Sequence, residues 1–158
     1  MSVITQMLVE NIHQFGFSYV GVAAGEDHYK EPSHIYTVGL VNFGLPELIL
    51  IGNMNAGTMN YVMQTIGDRW IAQKGYSLDE VSDVIVHRDG RDPLPLRFAE
   101  VAVEPVVEKY MHQHWPAIQQ RPLKMVQVIW PDQNGKFPDD PAFDSIQVGP
   151  QPLLELAR

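Results

Sequence analysis

The chain has 158 residues, 45% of them hydrophobic and 19% charged, which is enough for one domain spanning 1–158 to bury a core without staples. It contains no cysteine, which removes thiol nucleophiles, disulfides and cysteine-ligated zinc. With 11 Lys and Arg against 19 Asp and Glu, the net charge of -8 opposes contact with a phosphate backbone and argues against a nucleic-acid partner. No basic and apolar leader opens the chain, and the longest apolar run, Leu48 to Ile51, falls far short of the ~20 residues that cross a bilayer. A cytoplasmic protein with no membrane partner is expected.

The first predicted element is a helix. Ile4, Met7, Leu8, Ile12 and Phe15 recur at helical spacing, Ser2 is suited to the N-cap, and Gly16 to the stop. Phe17 to Val22 reads as a strand, followed by a polar stretch from Gly25 to Ser33 that reads as an exposed loop. His34 to Leu40 reads as a second strand. After the Gly44-Leu45-Pro46 turn, Glu47 to Gly52 reads as a third, with four consecutive apolar residues that imply cover on both faces. Thr58 to Lys74 carries an apolar stripe of Tyr61, Met63, Ile66, Trp70 and Ile71 and is predicted as the longest helix, stopped at Gly75. Val84–Val86 and Leu96–Val101 read as strands joined by a charged loop. Val106–Trp115 reads as a helix with Pro105 in its first turn, and Met125–Trp130 as the last strand, ended by Pro131. Pro138, Pro141, Pro150 and Pro152 predict mostly irregular chain thereafter.

This order is an α+β pattern without βαβ alternation, and its short connections favour antiparallel pairing. The expected architecture is a mainly antiparallel curled sheet, or an open, split-barrel-like barrel, flanked by two to three helices. Edge pairing of such a sheet would give a homodimer.

Several segments carry a family resemblance. They are Tyr36-Thr37-Val38-Gly39-Leu40 with Phe43-Gly44-Leu45-Pro46-Glu47-Leu48-Ile49, then Gln127-Val128-Ile129-Trp130-Pro131-Asp132 with Asn134-Gly135-Lys136-Phe137-Pro138, and the closing Gln151-Pro152-Leu153. Together with a helix ending His13-Gln14-Phe15-Gly16, they resemble a bacterial and phage family known as domain of unknown function 4262. The resemblance covers most of the chain and implies a shared fold and origin, but no activity. This chain departs from the family at Leu45, where a His commonly precedes the Pro-Glu pair. At the level of fold, the order of Thr-bearing strand, Pro turn, apolar strand and Asn/Thr helix start also resembles split-barrel flavin-binding proteins. That likeness implies a site for the phosphate of flavin mononucleotide.

Candidate chemistry gathers at four places. Thr37, Asn53, Asn55 and Thr58 would meet where a strand end faces a helix N-terminus, whose free N–H groups suit an anion; the alternative makes Asn55 or Thr58 a cap and Asn53 a turn residue. Arg88, Arg91 and Arg97 offer guanidinium forks for phosphate or carboxylate, although Asp89 and Asp92 lie between them and can neutralise two. The six histidines, His13, His28, His34, His87, His112 and His114, show no metal-binding spacing, so no metal is expected. Trp130 and Phe137 form either an aromatic pocket wall with Asp132 as a polar anchor, or a sealed sheet edge beside an Asp132-Asn134-Gly135 turn. Neither a nucleophile elbow nor a Walker or dinucleotide fingerprint occurs, and no constellation marks an enzyme. Two functional readings follow. One is the binding of a nucleotide or other phosphorylated small molecule at the helix N-terminus. The other is a protein-interaction module, such as a phage-borne inhibitor or decoy of a host system, whose acidic surface attracts a basic partner.

Overall fold

The computed structural model describes residues 2–26, 31–85 and 93–158. Helix α1 (Val3–Phe15) begins where Ser2 Oγ accepts the N–H of Thr5 at 3.1 Å. It ends at Gly16, whose φ of 94° lets its N–H return to the Ile12 carbonyl at 2.8 Å. Strands β1 (Ser18–Val22), β2 (His34–Val38) and β3 (Glu47–Ile51) form an antiparallel meander. A 3-10 turn at Leu40–Phe43 joins β2 to β3 between two left-handed glycines, Gly39 and Gly44. Helix α2 (Ala56–Gln73) follows, then β4 (Val81–Ile85) and β5 (Leu94–Val101), helices α3 (Val103–Tyr110) and α4 (His114–Ile118), β6 (Met125–Ile129) and the short α5 (Ser145–Val148).

The six strands lie in the order β1-β2-β3-β6-β5-β4. Four of the five pairings are antiparallel, and the central one, β3 with β6, is parallel, with Glu47 opposite Met125 and Leu50 opposite Val128. The expectation of a curled sheet or split-barrel-like barrel is therefore corrected: the sheet is open and mixed, though mostly antiparallel. Its two faces explain this. Leu48, Leu50, Val126 and Val128 pack with Met59, Val62, Met63, Ile66 and Trp70 of α2. Tyr36, Ile49, Ile51 and Met125 pack on the other side with Val106 of α3 and Met111. A sheet covered on both faces buries its apolar surface without closing on itself. With the barrel goes the fold argument for flavin mononucleotide.

The single helix expected over Val106–Trp115 is instead two, so the expected two to three helices are also too few. The chain leaves α3 at Met111, and Gln113 donates its N–H to the Tyr36 hydroxyl at 3.0 Å before α4 begins. A tertiary bond here outweighs continuous helix propensity. The last segment is irregular, as expected, but tightly held. Gln151 exchanges two hydrogen bonds with the backbone of Trp130, and Gln127 bonds the Pro152 carbonyl and the Leu154 N–H, so two amide side chains tie the C-terminal segment to β6 and the residue after it.

Candidate functional site

A cleft of about 770 Å³ lies beside the paired ends of β1 and β2, within the usual size of small-molecule sites. Its floor and walls come from Val22 ending β1 and Ala23 after it, His34 opening β2, Lys109, Tyr110 and His112 around the end of α3, and Phe143, Pro150 and Pro152 from the C-terminal segment. Glu31, Asp140 and Ser145 add polar groups. A smaller cleft of about 300 Å³ shares Val22, Ala23 and His34 and continues toward Met54, Ala56 and Met59 at the start of α2.

The junction between α3 and α4 fixes the wall opposite His34. Beyond the Tyr36–Gln113 bond, His114 Nε2 donates to Glu47 Oε2, and Glu47 also accepts from the Thr37 hydroxyl and the N–H groups of Gly39 and Leu40. These contacts hold the turn so that the Tyr110 carbonyl lies 3.1 Å from His34 Nε2. The His34 ring stacks on Tyr36 with centroids 6.1 Å apart and meets the edge of Tyr110 at 5.1 Å. Burial pushes the His34 imidazole below its ordinary pKa; the bond to the Tyr110 carbonyl opposes that shift, and nearby His112 reinforces it. Burial likewise raises the Tyr36 phenol to about 12, against the smaller opposing effect of the Gln113 N–H.

The third wall is organised by Asp132. Its buried carboxylate accepts N–H groups from Asn134, Lys136 and Asp144, so it gathers the loop that carries Pro138, Asp140 and Phe143 into the cleft. Desolvation alone would raise its pKa, but the amides of Lys136, Asp144 and Asn134 outweigh it and hold the carboxyl below the ordinary aspartate value.

The cations of the chain differ in availability, and only Lys109 of the four compared lines the cleft. Arg69, Arg97 and Arg121 are each engaged with a carboxylate, whereas Lys109 has no ion-pair partner among the described residues. Its ammonium sits 5.3 Å from the centroid of the Tyr110 ring. Among the described residues no group of three His, Asp or Glu side chains is arranged to hold a metal ion.

Among the described residues, those singled out from sequence for ligand binding do not line the two clefts. Thr37 is buried, donating to Glu47 and accepting the Leu48 N–H at 2.7 Å. Asn53 accepts the Ser33 N–H at 3.0 Å, and Asn55 caps α2 by accepting the N–H of Thr58 at 3.2 Å. Arg97 pairs with Glu80 and lies over the Phe137 ring, 3.8 Å from its centroid. Trp130 is a core residue whose indole N–H meets the Ile51 carbonyl, and its ring covers Gly52 so closely that a Cβ there would stand 2.7 Å away. None of these six lines either of the two clefts. Arg88 and Arg91 lie outside the described residues.

Sequence reasoning passed over Glu47, Lys109 and Tyr110. One signal was present for Glu47: a carboxylate heading a strand buried on both faces must itself be buried, and so must find donors.

Residues 11–144, from within α1 to just before α5, match the family model described as Domain of unknown function (DUF4262). No curated protein and no solved structure matches the chain.

Proposed function

We propose that this chain, which belongs to the DUF4262 family, binds a small anionic molecule, a nucleotide or comparable phosphorylated compound, in the larger cleft. The observation that carries the reading is an unpaired Lys109 beside His112, at the edge of a pocket walled by Tyr110, Phe143 and prolines. Apolar and aromatic walls with a few placed polar groups are what a small ligand requires. An ammonium already held near an aromatic face loses little freedom on meeting a phosphate.

The test is a thermal-shift and calorimetric panel of nucleoside monophosphates, cyclic nucleotides, nicotinamide dinucleotides and flavin mononucleotide. A ligand bound only by the folded state raises the melting point. Lys109→Ala should weaken a bound phosphate compound by roughly tenfold, the scale of one charge-assisted hydrogen bond. No stabilisation by any compound at millimolar concentration would overturn the reading.

A second reading, a protein-interaction module or homodimer, draws on a different surface. Helix α1 packs on α4, yet Val3 remains 71%, Met7 58% and Trp115 54% exposed. Light scattering across a concentration series, with Trp115→Ser as control, tests for self-association. A salt-dependent pull-down from bacterial lysate tests for a foreign partner, including a host target of a phage-borne inhibitor or decoy.

A further inference from the structure

His34 has one ring nitrogen committed and one open. A carbonyl oxygen can only accept, so the 3.1 Å contact to Tyr110 requires the proton on Nε2. In the neutral ring this leaves the Nδ1 lone pair as an acceptor. Among the described residues every buried side-chain nitrogen or oxygen has a hydrogen-bond partner, and Nδ1 makes no such bond. Nδ1 is therefore not sealed in, and His34 is a lining residue of both clefts. The backbone of α3 thus fixes which hydrogen-bonding role this wall presents, and that role is acceptance.

We infer, resting on the proposed function of this cleft, that His34 is its specificity-determining residue, accepting at Nδ1 a hydrogen bond from the amino group of an amino-substituted purine or pyrimidine ring. The walls suit such a flat ring. Tyr110 stands edge-on to His34, and Phe143, Pro138, Pro150 and Pro152 supply apolar surface. Lys109 and His112 stand ready for the anionic tail. A ring without the amine leaves Nδ1 desolvated and unpaired, and a carbonyl in its place sets two acceptors against each other.

The experiment compares adenosine monophosphate with purine riboside 5′-monophosphate, which differs only by lacking the amine. Calorimetry is run on the full chain and on two variants. His34→Phe keeps the ring's bulk without its nitrogens. His34→Leu, which has neither a ring nor any acceptor, checks that the loss does not depend on the phenyl group. The expected result is about tenfold or greater preference of the unaltered chain for the amino nucleotide, reduced to near parity in both variants. The preference should also fall toward parity as the pH is lowered through the His34 pKa, which burial holds below the ordinary imidazole value of 6.5, and Nδ1 takes up a proton. The other charged groups at the cleft, Glu31, Lys109, His112 and Asp140, act on the two probes alike, so the ratio isolates His34. Equal binding of both probes, or a preference that survives both substitutions, would overturn this inference and leave the anion site standing. Failure of both to bind would also overturn this inference, and the site as well if no compound of the wider panel binds.

Discussion

His114 Nε2 lies 2.6 Å from Glu47 Oε2, with both side chains withdrawn from solvent. The pair joins α4 to the first residue of β3, and Glu47 receives three further donors from Thr37, Gly39 and Leu40. His114→Ala removes one donor and leaves the carboxylate buried, so it should cost about 3–5 kcal/mol of folding free energy. Urea denaturation measures this. A loss under 1 kcal/mol would mean that water replaces the imidazole.

Gly67 sits inside α2, where alanine is normally the better helix former by about 1 kcal/mol. Here a Cβ would stand 2.4 Å from Cζ of Phe17. Gly67→Ala should therefore destabilise the fold despite its propensity gain, by about 1–3 kcal/mol, the usual cost of overpacking. Combining it with Phe17→Leu should recover part of the loss. Thermal melts of the two single variants and the double variant decide the matter.

Asp132 makes the cleft loop acid-sensitive. Its folded pKa lies below the ordinary aspartate value, so its contribution to stability is present above the unfolded pKa and is lost as pH falls through the folded one. The melting temperature of the unaltered chain should fall below about pH 4 more steeply than that of Asp132→Asn. Parallel curves would remove Asp132 from the account.

Tyr36 acts at the alkaline end. Its folded pKa of about 12 exceeds the unfolded value of 10.0, so its stabilising effect is complete below pH 10 and declines as pH rises toward 12. Spectrophotometric titration of the folded chain should show the Tyr36 phenol ionising near pH 12, and at its ordinary value in denaturant. Tyr36→Phe should remove that late step, with about 1 kcal/mol lost because the Gln113 N–H goes unpaired.

Much of the framework was legible because its signals are local. Ser2 and Gly16 bound α1 as their chemistry dictates, Asn55 opens α2, and the unbroken apolar run in β3 marks a strand covered twice. The stop of α2 shifted by one residue, because Lys74 rather than Gly75 takes the left-handed turn. The cleft was not legible, since it joins His34, Tyr110 and Pro150 from three distant stretches and no spacing rule links them. The break between α3 and α4 depends on Tyr36, and the covered, open sheet depends on β3 meeting β6, which periodicity within a strand cannot report.

That central parallel pair also governs the order of assembly. Strands β1 to β3 adjoin in sequence and can zip together as soon as they leave the ribosome, but the other edge of β3 has no neighbour until residue 125 and beyond are synthesised. Closing so long a loop is slow, so the nascent chain carries an apolar, unsatisfied strand edge for most of its translation. A rare-codon pause or truncation between α2 and β6 would therefore promote aggregation more than the same interruption after β6.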